Sequence, residues 1–260
     1  MIEIYHDFRL QFRVITALFL RELHTRFGRA NLGYLWMVGE PMMFCVGVTL
    51  MWSAIRPARE HGLAITAFVI TGYVPLTMWR HCVMRSVKAF ESNGSLLFHR
   101  QVTPLDIIVA RLILEVYGSC ITFILVAGGA ILLGYMDLPL DLSLVYLGML
   151  EGILFSVATA LIFASLSEQT EAIEKTISVI SYLSLPFSGA FTMVDWVPQN
   201  FQRILLYSPQ VHSFELLRKG WFGPSVVAHY DIFYASWCNG LLLIAGVALT
   251  LRVKRYIVIQ

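Results

Sequence analysis

The chain has 260 residues, 57% hydrophobic and 14% charged, with a formal net charge of +2. Soluble domains carry roughly a quarter charged residues, so this composition excludes an ordinary water-soluble fold, and the small net charge argues against a nucleic-acid binder. The four cysteines (Cys45, Cys82, Cys120, Cys238) lie in or beside apolar stretches without CxxC or Cys/His spacing, which argues against a zinc site and for buried thiols.

Residues 2–30 place Phe8, Phe12, Ile15, Phe19 and Leu23 at three- and four-residue steps, with Arg9, Arg13 and Arg21 on other faces. That spacing predicts an amphipathic helix lying in the interface plane. The start lacks a continuous apolar core and a small-residue cleavage site, so the first span is expected to insert uncleaved. Six apolar segments follow, at 33–55, 63–83, 116–134, 142–166, 176–191 and 232–251. Most approach the roughly 20 residues that cross about 30 Å of hydrocarbon. Near the third, Arg111 and Glu115 stand one turn apart and can satisfy each other. The fifth is short, carries Pro186 and ends at Ser188-Gly189, so it is expected to stop short of the far surface unless the bilayer thins.

Orientation follows from the basic residues. With both termini inside, inner segments hold 14 of the 19 Lys and Arg, and outer ones only Arg56, Arg59, Arg203, Arg218 and Lys219. The expected fold is therefore an all-α integral membrane protein with six spans, N-in and C-in. One domain covers 1–260: an interface helix over 1–32, a bundle over 33–251 and a basic tail over 252–260.

Two connections are too long for simple turns. The inner one, 84–104, is polar at Glu91-Ser92-Asn93-Gly94-Ser95 with apolar Leu96 and Leu97 beside it; a short helix across the inner mouth fits. The outer one, 195–231, is apolar for a loop. Helix starts are predicted at Pro198 and at Ser208-Pro209 and a stop at Gly220, Gly223 and Pro224. Two short helices dipping into the outer leaflet are expected.

No phosphate-binding loop, dinucleotide fingerprint, HExxH or nucleophile elbow occurs, so any nucleotide engine resides on another polypeptide. Glu151 sits within the fourth span, either as a functional carboxylate or as one paired with neighbouring helices. Gly148, Gly152, Ser156, Ala160 and Ala164 form a ridge of small residues there, suited to close packing inside the subunit or between subunits. Outer aromatics, including Trp196, Tyr207 and Trp221, suit an interfacial belt or a lining for sugar rings. His212, Glu215 and Arg218 can meet on one helix face, as an anchor or as substrate contacts.

The stretch 20–41, LRELHTRFGRANLGYLWMVGEP, resembles the N-terminal signature of ABC-2 type exporter permeases, and 207–222, YSPQVHSFELLRKGWF, resembles their outer-segment motif. Length and motif wording are most similar to the capsular polysaccharide subgroup. At position 208 the chain has Ser where relatives often have Asn; both residues cap helices well.

The resemblance implies a homodimer working with two copies of a separate ATPase that binds ATP and Mg. It also implies a periplasmic co-polymerase-type adaptor, an outer-membrane exporter and a lipid-linked, often acidic polysaccharide as substrate. It maps ATPase coupling onto Glu91, Ser92, Asn93, Gly94, Leu96 and Leu97, and re-entrant helices onto 198–223. Basic groups near the path (Arg26, Arg29, Arg80, Arg85) are either anionic-headgroup contacts or positive-inside anchors. Competing readings are an O-antigen or teichoic-acid permease, a stand-alone secondary transporter, and a membrane-embedded glycan transferase. A secondary transporter calls for several intramembrane ionisable groups, of which only Glu151 is found, and the outer loops offer the transferase no catalytic pair.

Overall fold

A computed structural model describes residues 2–27, 33–55, 59–60, 62–97, 101–169 and 171–257. Its helices are α1 (Ile2–Phe27), α2 (Gly33–Ile55), α3 (Ile65–Ser86), α4 (Gly94–Leu97), α5 (Pro104–Leu132), α6 (Leu142–Ser167), α7 (Glu171–Leu183), α8 (Gln199–Leu205), α9 (Pro209–Phe222) and α10 (Ile232–Ile257). Strand among the described residues is confined to one two-residue antiparallel pair, β1 (Arg59–Glu60) and β2 (Leu63–Ala64). Among the described residues, three helices have the length and hydropathy to cross a membrane: α5, α6 and α10. The fold is all-α and multi-span, as expected where backbone groups cannot bond to water.

Local chemistry sets the helix ends. Thr103 opens α5 with a capping box, accepting from the Asp106 amide while Asp106 accepts from the Thr103 amide, and Pro104 takes the first helical position. Asp141 caps α6 through the amides of Ser143 and Leu144 at 2.9 and 3.2 Å. α9 starts at Pro209 without a side-chain cap from Ser208 and stops at Gly223, whose φ of 55° suits glycine.

Several boundaries depart from the hydropathy pattern. α5 begins at Pro104, ahead of the apolar segment at 116, because a capping box fixes the start of the helix there. α7 ends at Leu183, its 13 residues spanning about 20 Å; a 3-10 turn at Leu185–Phe187 replaces the rest of the segment expected to 191. α10 runs to Ile257, so the stretch read as a tail from 252 continues the helix. On α1 the buried line is shifted. Leu18 and Glu22 are buried, and Val14, Ile15 and Phe19 pack with Leu18 against Ile107 and Ala110, while Phe12 and Leu20 are exposed.

α6 is the central helix: α3, α9 and α10 all pack on it. Its small residues allow this. A Cβ placed on Gly148 would lie 2.6 Å from the Leu217 amide nitrogen, and one on Gly220 of α9 2.6 Å from that of Val145. Ser213 faces Gly152, so α9 runs antiparallel to α6 with the backbones almost touching. Ala158, Ala160 and Ala164 are fully buried, and Gly246 of α10 abuts Leu161. The ridge thus serves contacts within the subunit.

The bundle has two distinct ends. At one, α1, α4 and the start of α5 meet the C-terminus of α6, the start of α7 and Val253 of α10. At the other, β2, the 136–145 turn and α9 gather with residues 189–231. Gly148→Val should lower the thermal midpoint of the purified protein, an overpacking cost of roughly 1–3 kcal/mol. Gly128→Ala, where nothing lies within 4 Å of the added Cβ, should leave it unchanged.

Candidate functional site

At the α1 end, residues 88–97 form a polar hub gripped by four helices. Lys88 adopts a left-handed backbone, φ 50°, uncommon for a residue with a Cβ. Its amide donates to Ser167 Oγ at 3.1 Å, and its ammonium pairs with Glu91 at 3.2 Å and Glu174 of α7 at 3.3 Å. Hydrogen bonds to Glu91 and Glu174 hold that ammonium above its ordinary range. Glu168, just past α6, accepts from the amides of Phe90 and Glu91 at 3.1 and 3.3 Å. Burial pushes its carboxyl above the ordinary 4.5.

From α1, Arg21 donates to Asn93 Oδ1. Arg111 of α5 links three segments at once: Glu22 of α1 at 3.1 Å, the Arg85 carbonyl at 2.9 Å and Ser92 Oγ at 3.4 Å. Asn93 is buried and Leu96 and Leu97 pack toward α1 and α5, whereas Glu91 and Ser92 are exposed. The six residues assigned to coupling therefore divide into an outward pair and an inward grip, with Gly94 between them.

At the α9 end, His212, Glu215 and Arg218 share a face but serve separate backbone segments. His212 Nδ1 accepts from the Asp231 amide at 3.0 Å, leaving Nε2 to donate to the Leu206 carbonyl at 2.9 Å, which fixes the neutral tautomer. Glu215 accepts from the amides of Val194 at 3.0 Å and His229 at 2.9 Å. Arg218, fully buried, donates to the carbonyls of Gly189, Ala190 and Thr192 and lies 3.9 Å over the Phe68 ring, on which Trp196 also stacks at 4.9 Å. α9 therefore pins residues 189–197 and 229–231 in place. Trp221 is also buried, donating to the Asp137 carbonyl at 3.0 Å, whereas Tyr207 is 77% exposed.

Midway along the bundle, Glu151 accepts from Ser236 Oγ and from Asn239 Nδ2, the latter at 2.7 Å, so this carboxylate joins α6 to α10. Arg80 lies 4.9 Å over the Tyr182 ring, and Arg85 is exposed. Arg29 lies outside the described residues, as does the side chain of Arg26.

Residues 13–222 match the ABC-2 type transporter family. The chain belongs to that family. It is 37% identical over 246 residues, 95% of this chain and 93% of the relative, to capsule polysaccharide export inner-membrane protein CtrC of Neisseria meningitidis serogroup A. It is 37% identical to capsule polysaccharide export inner-membrane protein BexB of Haemophilus influenzae, covering 92% and 91% of the two chains. It is 28% identical to polysialic acid transport protein KpsM of Escherichia coli, covering 93% and 94%. The protein is thus a multi-pass inner-membrane permease subunit of an ABC-type transporter, and membership implies an ATPase partner and a dimeric permease.

Sequence reasoning missed Ser236 and Asn239, Glu168 as an acceptor, and the grip of Glu22 and Arg111 on the hub. Ser236 and Asn239 are i and i+3 on a predicted span, a polar pair that could have flagged a partner for Glu151. Arg218→Lys should not rescue Arg218→Ala, because an ammonium lacks the planar fork that reaches these carbonyls while lying over Phe68. Both variants should lose roughly 3 kcal/mol or more, read as faster proteolysis of the 189–231 region. Because the Glu168 pKa is raised on folding, stability should fall as pH rises from about 4.5 through the raised value. Glu168→Gln should flatten that dependence in amide exchange of Phe90 and Glu91, corrected for intrinsic rates.

Proposed function

We propose that this chain is the permease of an ATP-driven exporter that moves lipid-linked, acidic capsular polysaccharide across the bacterial inner membrane through a homodimeric channel. The observation that carries the substrate is the similarity to capsule export proteins over more than nine-tenths of both chains. Two ATPase copies supply the work, and a periplasmic adaptor and an outer-membrane exporter continue the path.

The six-span, N-in, C-in arrangement belongs to this reading. It is supported by the 14-to-5 charge bias and by the gathering of both terminal helices at one end of the bundle. α1 as an interface helix is supported by its seat along α5. Re-entry of α9 is supported by its antiparallel course beside α6 from Val145 to Gly152, about 15 Å below the start of that helix at Gly152.

The ATPases push on the exposed face of the hub, at Glu91 and Ser92. Asn93, Leu96 and Leu97 transmit the displacement to α1 and α5, and Lys88 transmits it to α6 and α7. The reading is tested by expressing the chain in a capsulated strain lacking its own permease: restored surface capsule supports it, and restored O-antigen alone refutes it. Glu91→Lys should reduce ATPase co-purification and capsule export while leaving permease levels in the membrane intact. Arg111→Ala should retain ATPase binding yet uncouple hydrolysis from export.

A further inference from the structure

α3 is buried almost all round. Between Ile65 and Arg80 the only positions left unburied are Thr66, Tyr73 and Arg80. Steps of seven residues keep them on one line of the helix, about 10 Å apart. Along an otherwise apolar span, the open line thus holds a hydroxyl, a phenol and a guanidinium.

Aromatic rings flank this line. Trp52 of α2 stacks with Phe191 at 6.2 Å, and both border a narrow, closely packed surface crevice with Phe68, Val69, Tyr73 and Ala190. One step further along the line, the Arg80 guanidinium rests on Tyr182, which is 61% exposed. Arg80 is also unlike the paired cations nearby. Arg111 and Arg21 meet Glu22, and Lys88 meets Glu91 and Glu174, whereas no ion pair among the described residues includes Arg80 or the exposed Arg85; of these two, only Arg80 has its Nε buried without a partner, a feature it shares with Arg111. It sits about 9 Å short of the helix end. A basic residue serving only to anchor the helix would reach outward to the interface; this one lies on a ring within an aromatic furrow.

We propose that the Thr66–Tyr73–Arg80 line, walled by Trp52, Phe191 and Tyr182, is the substrate furrow of each subunit, and that Arg80 takes the substrate's anionic group, a carboxylate or a phosphate. The rings give weak, sequence-tolerant contacts along which a polymer slides, and the lone guanidinium supplies one charge-assisted hold. This inference rests on the export reading.

The test uses the complete transporter in cells making polysaccharide, with a photo-crosslinking amino acid at Tyr182, so that Arg80 stays intact, or at exposed Tyr146 of α6 as the control. A substrate adduct at 182 and none at 146 supports the furrow. If the adduct persists in a strain that makes the lipid acceptor but cannot elongate the glycan, the group held is the anchor's phosphate; if it is lost, the group is the sugar acid. An adduct to bulk phospholipid alone, or none, overturns the furrow. In parallel, Arg80→Gln should cut export about tenfold, the loss of one charged hydrogen bond, at unchanged membrane level and ATPase binding, with Arg80→Lys between. Wild-type export by Arg80→Gln overturns the role of Arg80. Failure of the unmodified chain to export any glycan instead overturns the export reading itself.

Discussion

The near-contact of α6 and α9 backbones is the constraint from which the rest of the arrangement follows. In hydrocarbon, helices gain nothing by hiding apolar surface from each other, so association depends on close packing and on satisfied polar groups. Gly148 and Gly220 remove the side chains that would hold the two helices apart. With α9 seated there, its buried polar face reaches the irregular segments around it. Arg218 closes the carbonyls at 189–192, Glu215 the amides at 194 and 229, and His212 the backbone at 206 and 231. Non-helical backbone is tolerable at such a place only when partners of this kind are supplied.

The opposite end uses the same chemistry for a different purpose. Around residues 88–97, charged side chains also bond to backbone, as Glu168 does to Phe90 and Glu91 and Arg111 to Arg85. Here the donors and acceptors come from four helices, and the gripped segment keeps Glu91 and Ser92 facing outward. A segment held by several helices at once moves them together when pushed, because packed interfaces shift as bodies rather than deform. In a permease driven by a separate ATPase, that is the property an input site requires. Between the two ends, α3 offers one open line, and Glu151 with Ser236 and Asn239 ties α6 to α10.

How much of this was legible depended on range. Hydropathy alone placed α2, α6 and most of α10, because a membrane helix needs a run of apolar residues and nothing else nearby can supply it. The breakers at Ser208-Pro209 and at Gly220, Gly223 and Pro224 bracketed α9, which runs from Pro209 to Phe222. The family was legible in two short motifs. The start of α5, ahead of the segment at 116, is set by Thr103 and Asp106, a capping pair that acts within a few residues of the chain. The apolar line expected on α1 held at Ile15 and Phe19 but not at Phe12, because the register of its buried face is decided by Ile107 and Ala110, far away in the chain.

For this protein, then, the amino-acid sequence by itself determined that the chain lives in a membrane, which segments are helical, and that its charge is gathered unevenly along the chain. Those properties follow from side-chain solvation and local backbone preference, which act within a few residues. Tertiary structure alone decided that the small ridge of α6 faces inward, that His212, Glu215 and Arg218 bind backbone rather than one another, that Glu22 and Arg111 hold the hub, and that Arg80 is left on an open aromatic line. Each of these depends on which distant groups come within hydrogen-bonding reach, and no pattern along a single helix encodes that.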